Sequence, residues 1–153
     1  MERSEAIRLA IALGMMGGIV AGTLVYVQNP TASDDTDWDV DVSELSTEDN
    51  TSVCVVFFYS PGCPHCGNVE EFLAAVPDDV NLTVQRYEVR KEPARFDRYL
   101  EAYDVPESDR GSVPAVLVGE EYAIGDRPAI ELIVNAIESG KTVRCPAVNE
   151  TTS

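Results

Sequence analysis

The feature that most constrains the fold of this chain is a pair of cysteines. The residues before the pair have the pattern of a β-strand, and those after it have the pattern of a helix. Val53 to Tyr59 is a continuous run of β-branched and aromatic residues, which predicts a strand buried on both faces. A Ser-Pro-Gly turn at 60–62 follows, and the motif Cys63-Pro64-His65-Cys66 comes directly after it. The next apolar residues recur at i, i+3, i+4 and i+7, the stripe of a helix that ends at a proline: Val69, Phe72, Leu73 and Val76, then Pro77. The cysteine pair is therefore predicted to open this helix.

A cysteine at the N-terminus of a helix is chemically activated. Unpaired backbone N–H groups and the positive end of the helix dipole stabilise a thiolate, the nucleophilic form of cysteine. Cys63 comes first and is predicted to be the attacking residue, while Cys66 lies one helical turn on, where it closes a disulfide or resolves a mixed one. Pro64 fixes the first turn. His65 adds positive charge or donates a hydrogen bond to the sulfur, which favours the thiolate and an oxidising pair.

The rest of the chain continues the alternation of strands and helices. Its patterns predict a strand over 80–89, a helix that begins near Pro93, two strands over 113–118 and 122–124 joined by a hairpin, and a last helix that ends near Gly140. The order is therefore βαβαββα. The first two strands are joined by a helix, so they are expected to be parallel through a right-handed crossover. The sequence predicts an α/β fold with a mixed four-stranded sheet.

Two segments resemble the thioredoxin superfamily. The run Val55–Cys66 resembles its active-site strand and turn, and the Pro-His pair between the cysteines is similar to that of periplasmic disulfide oxidases of the DsbA type. The segment Ser112-Val113-Pro114-Ala115-Val116 is similar to the cis-proline segment that faces the cysteine pair in that superfamily. The resemblance covers roughly residues 51–140 and implies a thioredoxin-like three-layer sandwich of glutaredoxin size. It also implies a cis Val113–Pro114 bond and a Val113 backbone that pairs with an extended substrate strand.

The sequence departs from that pattern at two positions. Phe57 stands where many thioredoxins have a buried acid that helps proton transfer, and Gly62 stands where many have a tryptophan. The resolving step must therefore use water, His65 or another group. These departures leave the reaction class intact but put efficient general reductase activity in doubt.

Two other interpretations of the cysteine motif remain open. One is half of a zinc site, which needs two further ligands, and the remaining candidates are Cys54, Cys145 and the single histidine, His65. The other is a structural disulfide without catalytic use. The strand–motif–helix context favours catalytic redox use over both, with no metal and no cofactor.

Cys54 and Cys145 lie outside the motif. Cys54 opens the first predicted strand, and Cys145 follows the last predicted helix. In this topology the last helix runs back towards the start of the first strand, so the two cysteines are expected to be able to meet on the side opposite the motif. A structural disulfide, two ordinary buried thiols and a second redox pair are the alternatives.

The N-terminal part has the character of a membrane segment. Residues 9–27 contain no charge, and as a helix they would span about 28 Å, close to the thickness of a bilayer core. Arg3 and Arg8 precede this run, and an acidic stretch follows it. We therefore expect a cytoplasmic tail over 1–8, a transmembrane anchor or uncleaved signal over 9–27, and the remainder outside the membrane.

Residues 28–50 change abruptly to Pro, Ser, Thr and Asp, which predicts an extended acidic tether. Whether the few apolar residues of this segment dock on the domain is left open by the sequence: Trp38, Val40, Val42 and Leu45. The thioredoxin-like domain is predicted over 51–147, with a short tail over 148–153.

The chain is strongly acidic. It carries 11 basic and 27 acidic residues, for a net charge of -16, which argues against nucleic-acid binding. Lys91 and Lys141 are its only lysines. The acid-rich, lysine-poor balance resembles proteins of halophilic organisms, which favours salt adaptation over an acidic patch that recruits a basic partner.

Together these features predict a membrane-anchored thiol–disulfide oxidoreductase whose domain lies outside the cytoplasm. Its expected partners are cysteine-containing exported proteins and a redox partner that resets the Cys63–Cys66 pair. The alternatives are a membrane-linked reductase or isomerase, as in cytochrome maturation, and a non-catalytic peptide-binding module with the same groove.

Overall fold

The computed structural model describes residues 38, 40–47 and 50–148. The predicted cytoplasmic tail (1–8), the anchor (9–27) and most of the C-terminal tail lie outside these residues. Among the residues that are described, no helix has the length and apolar character needed to cross a membrane.

A four-stranded sheet organises the domain. Its strands are β1 (Val53–Tyr59), β2 (Leu82–Glu88), β3 (Ala115–Val118) and β4 (Glu121–Ile124), in the spatial order β2-β1-β3-β4. β1 is parallel to β2 and antiparallel to β3, and β3 pairs antiparallel with β4. The predicted α/β class and mixed four-stranded sheet are confirmed.

Three helices cover the two faces of the sheet: α1 (Pro64–Ala75), α2 (Pro93–Ala102) and α3 (Asp126–Glu138). Successive side chains of a strand point to opposite faces, and β1 buries both sets. Val55 and Phe57 pack in one cluster with residues of α1 and α3, whereas Val56 and Phe58 pack in another with residues of α2. The result is a three-layer arrangement that fits the thioredoxin-like fold. Because β1 is covered on both faces, its sequence is an unbroken run of apolar residues.

Two of the strands, β2 and β3, are shorter than their patterns suggested. β2 begins at Leu82 rather than residue 80, and β3 begins at Ala115 rather than residue 113. The Val113–Pro114 peptide bond, which precedes β3, is cis. Proline has no N–H to donate to a sheet, so the ladder begins after it. α3 ends at Glu138, and Gly140 follows with a φ of 62°, as predicted for a glycine that ends a helix.

Part of the predicted tether packs on the domain, a question that the sequence left open. Leu45 is buried in the cluster beneath α1 and α3, and Val40 and Val42 pack against that cluster. The Trp38 ring meets the Phe72 ring of α1 edge to face, with 5.8 Å between centroids. Burial of these apolar side chains stabilises an ordered path that a purely acidic segment would not take.

The segment after α3 returns to the beginning of β1. The Cys54 N–H donates to the Val143 carbonyl at 3.0 Å, and the Val143 N–H donates to the Ser52 carbonyl at 2.8 Å. Further along, the Tyr99 hydroxyl of α2 donates to the Pro146 carbonyl at 2.8 Å. The C-terminal segment is thus held at the end of β1 that lies away from the Cys63–Cys66 motif.

Candidate active site

The Cys63–Cys66 motif begins α1 just beyond the carboxyl end of β1. Gly62 makes the turn into it with a φ of 77°, a left-handed conformation that favours glycine. Cys63 is the N-cap of α1, and its Sγ accepts a hydrogen bond from the Cys66 backbone N–H at 3.2 Å. Pro64 is the first residue of the helix. The sulfur of Cys63 therefore lies where unpaired helix N–H groups stabilise negative charge.

Cys63 and Cys66 form a disulfide, with 5.2 Å between their Cα atoms. Their surroundings differ. Cys66 is only 2% exposed and belongs to the core cluster of α1 and α3, whereas Cys63 is half-buried. Cys63 is therefore the more accessible residue of the pair for a thiolate that attacks from solvent, and Cys66 is the buried one.

The segment before β3 faces the disulfide. Cys63 Sγ lies 3.7 Å from the carbonyl oxygen of Val113. The Pro114 carbonyl accepts a hydrogen bond from the Gly125 N–H at 2.9 Å, which ties this segment to the beginning of α3. The structure thus places the Val113 carbonyl beside Cys63, with Pro114 next in the chain, and the role of these two residues in substrate binding stays a prediction.

The His65 imidazole contacts a carboxylate of α3. Its Nδ1 contacts Asp126 Oδ2 at 2.9 Å, and the same oxygen accepts a hydrogen bond from Asn68 Nδ2 at 2.6 Å. The His65 side chain is 68% exposed and that of Asp126 only 14%. The imidazole therefore contacts a carboxylate at the beginning of α3, and its expected effect on the cysteine sulfur stays a prediction.

Asp126 remains ionised at any ordinary pH. Burial acts to raise its pKa, but hydrogen bonds from His65, Asn68 and the backbone N–H groups of Arg127 and Asp126 itself outweigh burial and lower the pKa to about 2. The sequence analysis missed this residue. The available signal was an acid directly after Gly125 and shortly before the last apolar helical stripe, although this pattern gave no indication of a partner 61 residues earlier.

Phe57 is completely buried. Throughout the described part of the chain, no polar or charged side chain belongs to the buried class. Within the same residues, no group of three His, Cys, Asp or Glu side chains is arranged to hold a metal ion.

Cys54 and Cys145 form a second disulfide at the other end of β1, with 4.7 Å between their Cα atoms and 91 residues between them in sequence. Of the alternatives left open by the sequence, the structure shows a bonded pair rather than two free thiols. All four cysteines are therefore in disulfides.

Comparisons with known proteins find similarity to a solved structure. No protein-family model matches the chain, and no curated protein matches it. Among solved structures, the chain is similar to the crystal structure of a point mutant of the thioredoxin-like protein BC3987, with 28% sequence identity and a TM-score of 0.41. The match covers 54% of this chain and 96% of that one.

Proposed function

We propose that the protein is a thiol–disulfide oxidoreductase that exchanges disulfides through Cys63 and Cys66. One observation carries the proposal: a disulfide at the N-terminus of α1 joins a more exposed Cys63 to a buried Cys66, and the Cys63 sulfur lies 3.7 Å from the Val113 carbonyl. A disulfide with a purely structural role has no need of a helix N-terminus or of a main-chain segment facing it.

The exchange proceeds in two displacements. A substrate thiolate attacks Cys63 Sγ, the Cys63–Cys66 bond breaks, and Cys66 leaves with the electron pair as a thiolate. A second substrate thiolate then attacks the substrate sulfur of the mixed disulfide, and Cys63 leaves as a thiolate. The substrate gains a disulfide and the cysteine pair gains two electrons. The reverse sequence reduces a substrate disulfide.

The local structure assists these steps. The Cys66 backbone N–H, 3.2 Å from Cys63 Sγ, stabilises the Cys63 thiolate as a leaving group, and the helix dipole acts in the same direction. An extended substrate pairs with the main chain at Val113, which aligns its sulfur with Cys63.

We further propose the setting in which this exchange occurs. The uncharged run over 9–27 supports a membrane anchor, and the arginines before it support an extracytoplasmic domain. Cysteine-containing exported proteins are then the substrates, and a second redox protein resets the pair. The acid-rich composition supports a salt-adapted source.

The test is a trapping experiment with the full chain. In Cys66→Ser, Cys63 can still attack a substrate disulfide, but the mixed disulfide cannot be resolved. We expect this variant to accumulate adducts that dithiothreitol releases, with Cys63→Ser as the matched control that forms none. A Cys66→Ser protein that forms no adducts with disulfide-containing peptides would instead indicate a binding module.

The direction of electron flow follows from the reduction potential of the Cys63–Cys66 pair, measured in thiol redox buffers. A potential near about -120 mV favours an oxidase, and one near about -270 mV favours a reductase.

A further inference from the structure

Two side chains of α1 hold one carboxylate of α3. His65 and Asn68 are three residues apart, so they lie on the same face of the helix. Both contact Oδ2 of Asp126, at 2.9 Å and 2.6 Å. Asp126 is the first residue of α3, and its side chain is largely withdrawn from solvent, whereas the His65 side chain is not. A largely enclosed carboxylate thus fixes one edge of the exposed imidazole ring of the residue that lies between Pro64 and Cys66.

This contact determines which nitrogen of His65 carries the proton. Because Asp126 is ionised, its oxygen can only accept, so Nδ1 must donate. In the neutral imidazole one nitrogen is a donor and the other an acceptor, which leaves Nε2 as the basic nitrogen. When His65 is protonated, the proton that it gives up is therefore the one on Nε2.

We propose that Asp126 is a positioning residue of the exchange site, which holds His65 in the Nδ1–H form so that Nε2 passes protons to and from the substrate sulfur. The inference rests on the proposed function.

The proton balance is simple in the oxidising direction. A substrate thiol gives its proton to Nε2 of His65, and the resulting thiolate attacks Cys63 Sγ while Cys66 leaves with the electron pair of the old S–S bond. In the reducing direction the protonated imidazole gives the Nε2 proton to the substrate thiolate that leaves. No further oxidant or reductant is needed beyond the substrate and the cysteine pair.

The substrate sulfur is the partner that the burial pattern favours. Cys66 is 2% exposed, and its sulfur faces the core cluster, so a largely exposed imidazole is badly placed to serve it. Cys63 is half-buried at the surface of the same turn, where the substrate sulfur must arrive. His65 is separated from Cys63 by Pro64 alone and lies on the solvent side of that turn.

The first test reads the tautomer directly. The chain has one histidine, so ¹⁵N shifts of the labelled full-length protein report on His65 without assignment. At a pH where the ring is neutral, we expect the Nδ1–H form in the wild type and a return towards the mixture of an unconstrained imidazole in Asp126→Ala. Finding the Nε2–H form in the wild type, or no change in Asp126→Ala, overturns the proposal.

The second test is a double-mutant cycle on the exchange rate. With a small peptide disulfide as substrate, we expect Asp126→Ala to slow exchange about tenfold. In a His65→Ala background the same substitution should change the rate by less than about twofold, because Asp126 acts through the imidazole. Glu131→Gln, which removes an exposed acid from the same helix, is the control for the loss of one negative charge.

The outcomes separate this proposal from the proposed function. An equal loss of rate in both backgrounds assigns Asp126 a purely structural role and overturns the positioning role. Exchange that is undetectable in the wild type contradicts the proposed function, and with it the proton-transfer role. In that case the tautomer measurement still reports whether Asp126 holds His65.

Discussion

Two disulfides lie at opposite ends of β1, and their burial is similar. Each has one cysteine withdrawn from solvent, Cys66 at 2% and Cys54 at 4% exposure, and each has one that is half-buried, Cys63 and Cys145. Exposure alone therefore does not separate a reactive pair from a structural one in this fold.

The difference lies in what surrounds the sulfur. Cys63 Sγ accepts the Cys66 backbone N–H at the beginning of a helix, where a thiolate is stabilised. Cys54 lies within β1, and its N–H is already used by the Val143 carbonyl in the sheet-like bridge. A helix terminus offers spare hydrogen-bond donors to a leaving sulfur, and a strand does not.

The two bonds also close very different loops. Cys63 and Cys66 are 3 residues apart, whereas Cys54 and Cys145 are 91 apart. Breaking the short loop releases little chain, so the pair can open and close without unfolding the domain. The long loop restrains almost the whole domain, which suits a bond that stays closed.

The largest expected effect comes from removing the long-loop bond. We expect Cys54→Ala combined with Cys145→Ala to lower the free energy of unfolding by about 4.6 kcal/mol in the loop-entropy model. Exchange through Cys63 should persist in the folded fraction. Urea denaturation followed by circular dichroism measures the loss.

The matched control is Cys63→Ala combined with Cys66→Ala. It should lose less stability, because its loop is short, and it should lose all exchange activity. Equal losses of stability in the two double variants would contradict the division of roles between the two ends of β1.

The sequence predicted the elements of the fold well because their signals are local. The unbroken apolar run of β1 and the helical stripe of α1 are periodic patterns that need no tertiary information. The motif Cys63–Cys66 could be placed on the strand–helix junction for the same reason.

The features that were missed depend on contacts between distant residues. Asp126 is one of 27 acidic residues, and nothing in its local pattern indicates that His65 and Asn68 will hold it. The docking of Trp38 and Leu45 was left open because isolated apolar residues in an acidic segment have no periodicity. Such contacts depend on how α1 and α3 pack, which composition does not specify.

A smaller effect distinguishes the turns at the two ends of β1. Gly62 precedes Cys63 with a φ of 77°, and Gly140 follows α3 with a φ of 62°. Alanine at either position should cost about 1 kcal/mol of stability, because a Cβ disfavours the left-handed conformation. At Gly62 the added Cβ meets no atom within 4 Å, so the cost is conformational rather than steric.

Only the first of these substitutions should alter redox behaviour. Gly62→Ala changes the turn that positions Cys63, so we expect a shifted reduction potential, whereas Gly140→Ala should leave the potential unchanged. Thermal denaturation and equilibration in glutathione buffers provide the two measurements. A potential that is identical in Gly62→Ala and the wild type would show that the turn does not tune the pair.

The smallest effect separates the two ends by their response to acid. The pKa of Asp126 is about 2 in the folded protein, against 3.8 as its ordinary value. As the pH falls from about 4 to about 2, the unfolded chain takes up this proton before the folded one does, so the stability that Asp126 contributes is lost in that window. Solvent screening limits the contribution to about 1 kcal/mol.

Asp126→Asn should therefore lose less stability than the wild type as the pH falls, because it has no carboxylate to protonate. The double variant with Cys54→Ala and Cys145→Ala should instead be weakened by the same amount at every pH. Urea titrations between pH 2 and 7 measure both curves, and parallel curves for Asp126→Asn and the wild type would mean that the His65–Asp126 contact contributes nothing to folding.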